Sequence, residues 1–143
     1  MKKDCIHIYT DGACQGNPGP GGWGVFLHYN GHEKNLSGAM ADTTNNQMEL
    51  MAAIKGLEAI QRSVPICLYT DSQYVKKGMT EWLSGWKANN WRTSQKKTVK
   101  NKDLWIQLDN LAAPLDITWK WVKGHAGDYG NERADALARS AIQ

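Results

Sequence analysis

The sequence predicts an α/β fold in which helices pack on a mixed β-sheet. The first half of the chain holds β-prone segments joined by turns, and its Asn30-Gly31 pair is typical of a β-hairpin. The second half alternates β-prone segments with amphipathic ones, which is the order of a sheet with helical crossovers. The predicted order of elements is β-β-β-α-β-α-α-α-β-α.

The first three strands are predicted around a glycine-rich turn region. The run from Gly19 to Gly24 fits the Gly-x-Gly-x-x-Gly pattern of dinucleotide-binding loops. That function needs a helix after the glycines, and here a strand follows, so we expect a tight connection between strands instead. The expected elements are strands over residues 5–10 and 23–29, a turn region over 12–24, and a strand from 32 toward 41.

A long helix is predicted over residues 43–63. Thr44 with Gln47 three residues later matches a capping box, and Pro65 stops the helix. An apolar stripe at helical spacing consists of Leu50, Ala53, Ile54, Leu57 and Ile60. The remaining predictions are a strand over 66–70, short helices over 72–88 broken at Gly85, a polar loop over 89–100, a helix over 103–111, a strand over 117–122, a loop over 123–130 and a helix over 131–142.

Composition places the chain among ordinary globular proteins. Its 143 residues, 41% hydrophobic and 22% charged, suit a single domain over 1–143. No apolar run approaches the roughly 18 residues of a membrane span, and no signal-peptide core follows Met1, so we expect a cytoplasmic protein. The three cysteines have no Cys-x-x-Cys spacing, which favours neither a disulfide framework nor a cysteine zinc site.

Positive charge is concentrated in one segment, residues 76–102, which we call the basic handle. It holds eight basic residues against Glu81 alone, a net charge of +7, so the rest of the chain carries −4. Such a segment is either a surface for a polyanion or a solvated lysine-rich face.

Four carboxylates are candidates for one site. Asp11 and Asp71 each follow an apolar-Tyr-Thr run at the end of a predicted strand, where sites form in sheets with helical crossovers. Glu49 and Asp135 flank the apolar stripes of their helices, where an acid is costly unless it is paired or bound to metal. Turn formation, capping and the helix dipole are the structural alternatives. Convergence of all four predicts a magnesium or manganese site, because hard cations prefer oxygen ligands.

Five motifs in order make the chain similar to bacterial type 1 ribonucleases H along essentially its whole length. These motifs occupy residues 9–24 (YTDGACQGNPGPGGWG), 43–53 (TTNNQMELMAA), 70–75 (TDSQYV), 121–127 (WVKGHAG) and 131–138 (NERADALA). The resemblance implies a ribonuclease H-like fold: a five-stranded mixed sheet with strands 1–3 antiparallel, strands 4 and 5 parallel to strand 1, and helices on both faces.

The resemblance also implies an endonuclease that hydrolyses the RNA strand of RNA–DNA hybrids and leaves 5′-phosphate and 3′-hydroxyl ends. Asp11, Glu49, Asp71 and Asp135 match the catalytic metal ligands of the family. They would hold two Mg²⁺ ions, which Mn²⁺ could replace, one generating the attacking hydroxide and the other stabilising the leaving 3′-oxygen. His125 matches a catalytic histidine that shuttles protons or aids product release.

Substrate contacts are implied in the same way. Asn17, Asn45 and Gln73 match positions that read the minor groove of the hybrid, Thr44 and Asn101 match a DNA-phosphate pocket, and Trp82 matches an aromatic residue that packs on a DNA sugar. Trp86 and Trp91 are interpreted as core supports of the handle. The handle lysines expected to contact phosphates are Lys87, Lys96, Lys97 and Lys100.

Several positions depart from the family pattern in one direction. Asp42 and Gln47 stand where arginine is common, and the run Ala88-Asn89-Asn90 stands where relatives carry more lysine and arginine. All these departures remove positive charge, so we expect weaker substrate binding and unchanged chemistry. The expected partner is the hybrid itself, bound by a monomer with no membrane and no obligate protein partner. The alternatives are another nuclease or strand-transfer enzyme of this fold, or a non-catalytic hybrid-binding module.

Overall fold

A computed structural model describes residues 5–61, 63–122 and 129–142. Its five-stranded sheet has the order β3-β2-β1-β4-β5. Strands β1, β2 and β3 are antiparallel neighbours, β4 is parallel to β1, and β5 is parallel to β4. The strand bounds are β1 Ile6–Cys14, β2 Gly19–Tyr29, β3 His32–Thr43, β4 Ile66–Thr70 and β5 Ile117–Trp121. The predicted fold class and strand directions are confirmed.

Helices cover both faces of this sheet. The helix bounds are α1 Asn45–Glu58, α2 Gln73–Lys77, α3 Leu83–Ala88, α4 Lys102–Ala112 and α5 Tyr129–Ala141, with a π-helical turn over Gly78–Trp82 between α2 and α3. Helix α1 lies on the face that carries Ile8, whose side chain approaches Gly56. Helix α5 lies on the opposite face, where Gly130 meets the ring of Tyr9. No helix among the described residues combines the length and apolar character needed to cross a membrane.

The glycine-rich region is a pair of strands with a short turn, so the predicted turn over 12–24 is wrong. Strand β1 continues to Cys14 and β2 already begins at Gly19. A side chain on Gly22 or Gly24 would overlap backbone atoms of α5, which packs directly on β2. Glycine is disfavoured in strands by propensity, but here it permits this close packing of helix on sheet, and the tertiary contact prevails.

Helix α1 begins with the predicted capping box and is shorter than predicted. Thr44 Oγ1 accepts a hydrogen bond from Gln47 N at 3.2 Å, and Thr44 N donates to Gln47 Oε1 at 3.3 Å. The helix ends at Glu58, not at residue 63. Pro65 lies beside the first residue of β1, because Ile6 N donates to Pro65 O at 2.9 Å. After Glu58 the chain tightens into a turn in which Ile60 N donates to Leu57 O at 3.1 Å, so the α-helical hydrogen-bond pattern ends there.

The predicted helix break at Gly85 is also wrong. Gly85 lies within α3, and its carbonyl accepts from Asn89 N at 3.0 Å. A glycine inside a helix costs only about 1 kcal/mol, and burial of Leu83 and packing of Trp86 against the core outweigh that cost. The regular α-helical pattern is interrupted earlier in the chain, at the π-helical turn, where Gly78 packs against the ring of Trp105.

Aromatic packing anchors the basic handle to the core. Trp105 is fully buried in α4, its Nε1 donates to Tyr74 Oη at 3.1 Å, and its ring centroid lies 5.3 Å from that of Trp86. Trp86 and Trp91 are partly buried against the core, as the core interpretation predicts. Residues 89–100 form the expected polar loop, and the buried side chain of Val99 also packs it against the core.

Candidate active site

Two aspartates are brought together where the pairing of β1 with β4 ends. The last parallel pair is Tyr9 with Tyr69, whose rings stack with centroids 4.3 Å apart. Asp11 and Asp71 follow these tyrosines at the same spacing, so they become neighbours beyond the last pair. Asp71 lies after the end of β4 as predicted, whereas Asp11 lies inside β1, opposite Gly24 of β2. The site is therefore at the end of the parallel ladder, while the antiparallel ladder continues beside it.

Helix α1 adds a third carboxylate from above this edge. Glu49 is buried with 5% of its surface exposed, and Gly12 permits the approach, because a side chain there would overlap the backbone at Met48 and Glu49. Ligand oxygens of Asp11, Glu49 and Asp71 lie within 4.8 Å of one another. Among the described residues, Glu49 Oε1 is buried with no hydrogen-bond partner. A buried acceptor of this kind is costly unless a cation satisfies it, so the donor set fits a hard divalent metal.

Asp135 lies at the edge of this group. It is 8% exposed in α5, interacts with Asp11, and its Oδ2 accepts from Arg139 Nη2 at 2.7 Å. The compact three-residue group does not include it. Arg139 was not among the predicted site residues, although its spacing of four residues from Asp135 is the signal of an ion pair on one helix face.

Burial and mutual repulsion shape the acidity of the cluster. Burial raises the pKa of Asp11 to about 8, and the charge of Asp71 and the contact with Asp135 add to this increase. Burial also raises the pKa of Glu49 well above its usual range, with repulsion from Asp11 and Asp71 as the next causes. Asp11 and Glu49 therefore hold protons strongly when no cation compensates their charge.

Asp11→Asn should stabilise the metal-free protein, increasingly so as the pH rises. In the unfolded chain Asp11 loses its proton near its ordinary pKa of 3.8, but in the folded chain it does so only at about 8. The parent's free energy of unfolding should thus fall between these two values, and asparagine removes that loss. We expect the variant to exceed the parent by about 1–3 kcal/mol near pH 8 and by little near pH 4. Urea unfolding in a chelating buffer measures this, and a difference that does not change with pH would contradict it.

The predicted groove-reading residues lie on segments that adjoin those of the clustered carboxylates. Asn17 and Asn45 are exposed and joined, since Asn45 N donates to Asn17 Oδ1 at 3.0 Å. Gln73 is exposed at the first turn of α2, two residues after Asp71. The structure thus places these three amides along the same edge as the carboxylates. Their roles in substrate binding remain predictions.

Gln47 connects the two residues of the predicted phosphate pocket. Its side-chain Nε2 donates to Asn101 Oδ1 at 3.1 Å, and its backbone N donates to Thr44 Oγ1. Asn101 in turn donates from Nδ2 to Tyr74 Oη at 3.1 Å and has left-handed backbone, with φ of 60°. In the sequence, Gln47 is a glutamine at a position where arginine is common in the family. The capping-box spacing predicts its bonds to Thr44, whereas Asn101 is 54 residues away and no local pattern predicts that bond.

The handle residues that are predicted to contact substrate differ in their exposure and in their existing partners. Lys96, Lys97 and Lys100 are exposed on the loop, whereas Lys87 Nζ lies 3.0 Å from Asp109 Oδ2. Trp82 is partly buried, with its ring centroid 5.9 Å from that of Tyr74 and 5.7 Å from that of Trp86. His125 lies outside the described residues.

A buried carboxylate group at the edge of a mixed sheet, in a chain that also carries an exposed basic segment, is typical of metal-dependent enzymes that act on nucleic-acid phosphodiesters. Comparison with known proteins narrows this class. The RNase H family model matches residues 3–143, and the chain belongs to the ribonuclease H family. It is therefore an RNA–DNA hybrid endoribonuclease by class.

The similarity covers nearly the full length of the relatives. The chain is 60% identical over 141 residues to ribonuclease H of Francisella philomiragia, covering 99% of this chain and 93% of the relative. It is 62% identical over 138 residues to ribonuclease H of Legionella pneumophila strain Corby, covering 96% of each. The crystal structure of LC9-RNase H1, a type 1 RNase H with the type 2 active-site motif, superposes with a TM-score of 0.87 at 31% identity, covering 99% of this chain and 74% of that one.

Proposed function

We propose that this chain hydrolyses the RNA strand of RNA–DNA hybrids by two-metal-ion catalysis and leaves 5′-phosphate and 3′-hydroxyl ends. The observation that carries the proposal is the compact group of Asp11, Glu49 and Asp71, with one glutamate oxygen left unsatisfied among the described residues. Three acids in such close proximity are unfavourable unless cations of high charge bind to them. Family membership makes Mg²⁺ the expected cation, with Mn²⁺ as a substitute.

The residues of the cluster would have distinct roles in this reaction. The three clustered carboxylates, with Asp135 beside Asp11, would hold the cations. Two bound divalent cations supply an acidified water as nucleophile and stabilise the charge on the leaving oxygen. The carboxylates must release their protons to bind, and the raised pKa of Asp11 means that protons compete with the cations as the pH falls. Pairing of Asp11 with Gly24 of β2 fixes the position of its backbone before substrate arrives.

Recognition of the hybrid would use the surroundings of the cluster. Asn17, Asn45 and Gln73 have amide groups that can donate to and accept from 2′-hydroxyls, which distinguish RNA from DNA. The pocket of Thr44, Gln47 and Asn101 offers uncharged polar groups to a DNA phosphate. The exposed lysines of the handle would contact the phosphate backbone farther from the cleavage point.

Cleavage of three labelled duplexes tests this function. Hybrid, RNA duplex and DNA duplex of one sequence are incubated with the protein and Mg²⁺, and the end groups of the products are determined. We expect cleavage of the RNA strand of the hybrid alone, with 5′-phosphate ends. Cleavage or joining of DNA would favour a strand-transfer enzyme, and binding of the hybrid without cleavage would favour a non-catalytic module.

His125→Ala should slow turnover while leaving hybrid affinity nearly unchanged. A residue that moves a proton or speeds product release acts after binding, and such roles contribute about 10²–10⁴-fold. We expect kcat to fall by about a hundredfold with residual activity. Single-turnover and steady-state cleavage, together with hybrid titration, separate these quantities. Loss of metal binding in this variant would instead make His125 a ligand.

A further inference from the structure

A second group of metal-ligating side chains lies at the opposite end of β1 and β4 from the carboxylates. Cys5 precedes β1, His7 lies in β1 and Cys67 in β4. Ligand atoms of these three residues lie within 4.8 Å of one another, and all three side chains are partly buried. Cys5 and Asp11 are six residues apart along an extended strand, which corresponds to about 20 Å. The two groups are therefore separate sites.

We propose that Cys5, His7 and Cys67 form a binding site for a thiophilic divalent cation of the zinc type. Two thiolates and one imidazole are a common ligand set for zinc, and they leave the fourth position of a tetrahedron to solvent. The two thiolate charges would neutralise the cation, which suits a partly buried location. The proposal does not depend on the function of the carboxylate site.

The distance between Cys5 Sγ and His7 Nε2 fits tetrahedral coordination of a zinc ion. With Zn–S near 2.3 Å and Zn–N near 2.05 Å, tetrahedral geometry needs a sulfur–nitrogen separation of about 3.6 Å. The separation of Cys5 Sγ from His7 Nε2 is 3.6 Å. The sulfurs of Cys5 and Cys67 are 3.3 Å apart, and coordination needs about 3.75 Å, which a small rotation of one side chain supplies.

Tyr69 orients the histidine for this role. His7 Nδ1 lies 2.9 Å from Tyr69 Oη. The tautomer that donates from Nδ1 to the tyrosine oxygen leaves the lone pair of Nε2 directed toward the thiols. Metal-binding histidines commonly use their second nitrogen in such a bond, which fixes both the tautomer and the ring. A depression of about 380 Å³ is lined in part by His7 and His28, so the histidine of the group borders space that solvent can enter.

Sheet register favours a metal over a disulfide. Ile6 pairs with Ile66 and His7 with Cys67, so Cys5 and Cys67 are diagonal neighbours two residues out of register. Strands about 4.8 Å apart with a rise of about 3.3 Å per residue place such Cα atoms roughly 8 Å apart. Disulfides need a Cα separation of about 4.4–6.8 Å. A cation bridges the sulfurs without moving either strand.

Cobalt(II) titration of the reduced chain, with excess Mg²⁺ to occupy the carboxylates, tests the proposal. We expect thiolate-to-cobalt charge-transfer absorption that saturates at one equivalent and is displaced by zinc. Cys67→Ala and His7→Ala should weaken cobalt binding at least about tenfold, and Tyr69→Phe by about 10–100-fold, as for other residues that support a ligand. Cys14→Ala is the matched control, because Cys14 Sγ lies elsewhere, near Thr43 O at 3.3 Å.

Hybrid cleavage in Mg²⁺ should stay unchanged in all these variants, which shows that each has folded and separates this proposal from the function of the carboxylates. Absence of the charge-transfer band in the parent would overturn the proposal. Persistence of the band at full strength in Cys67→Ala, or its loss in Cys14→Ala, would also overturn it. A further outcome would also overturn it: the reduced protein binds no cobalt, and on exposure to air it forms a Cys5–Cys67 disulfide. Mass spectrometry would detect this disulfide as a loss of two hydrogens, and the two cysteines would then be a redox pair and not metal ligands.

Discussion

Asp71→Asn is expected to reduce cleavage of an RNA–DNA hybrid by about a thousandfold or more while the protein stays folded. Cation binding supplies several kcal/mol of charge stabilisation in the transition state, and each 1.4 kcal/mol corresponds to about a tenfold change in rate. Asparagine keeps the shape of the side chain but removes one of the charges that attract the cations to the cluster. Steady-state cleavage in Mg²⁺, compared with the parent at equal protein concentration, measures the decrease.

Asp116→Asn is the matched control for this variant. Asp116 is exposed just before β5, so the same chemical change there should leave cleavage within about twofold of the parent. Urea unfolding of both variants shows whether a decrease in activity reflects the site or the fold. Near-parental cleavage by Asp71→Asn would remove Asp71 from the catalytic group.

Neutralising Lys87, Lys96, Lys97 and Lys100 together should raise KM and leave kcat nearly unchanged. These lysines lie in a segment of net charge +7 that contains none of the clustered carboxylates, so they would bind the ground state and transition state alike. A lysine that pairs with a phosphate releases a counterion on binding, so its neutralisation weakens the salt dependence. The slope of log affinity against log salt should shrink by about 0.9 for each lysine–phosphate pair that the substitutions remove. Steady-state cleavage of one hybrid at several salt concentrations measures both effects.

The structure refines this experiment through Lys87. Its ammonium group already pairs with Asp109 at 3.0 Å, whereas the other three lysines are exposed on the handle loop. A triple variant that keeps Lys87 should therefore reproduce most of the change. Unchanged KM and salt slope in the quadruple variant would show that the handle is a solvated face. A collapse of kcat with KM unchanged would show that it shapes the active site.

The parts of the molecule that short-range chemistry determines could be predicted from the sequence. Strand β4 has the predicted bounds, because Pro65 and the polar turn at Asp71 limit its apolar run. The capping box at Thr44 forms as predicted, because it needs only two side chains three residues apart. The convergence of three of the four candidate carboxylates could be predicted because strand direction and the position of a residue on a helix follow from the local sequence.

Contacts between distant segments explain most of what could not be predicted. The glycines of β2 look like turn residues until α5 is placed on them. Gly85 looks like a helix break until Leu83 and Trp86 are seen packed against the core. Cys5 and Cys67 are 62 residues apart, so a search for Cys-x-x-Cys spacing could not relate them. In each case the decisive neighbour comes from another element of the fold.

The glycines of β2 have a consequence for the position of the fourth carboxylate. Since nothing but hydrogen projects from Gly22 and Gly24 toward α5, the helix backbone rests on the strand at the minimum possible separation. Even one methyl group at either position would act as a spacer and lift the helix. Asp135 rides on that helix, one residue after Ala134, whose carbonyl faces Gly24. The distance between the carboxylates of Asp135 and Asp11 thus depends on the spacing between α5 and the sheet. Glycines that do not contact the substrate therefore set the dimensions of the site.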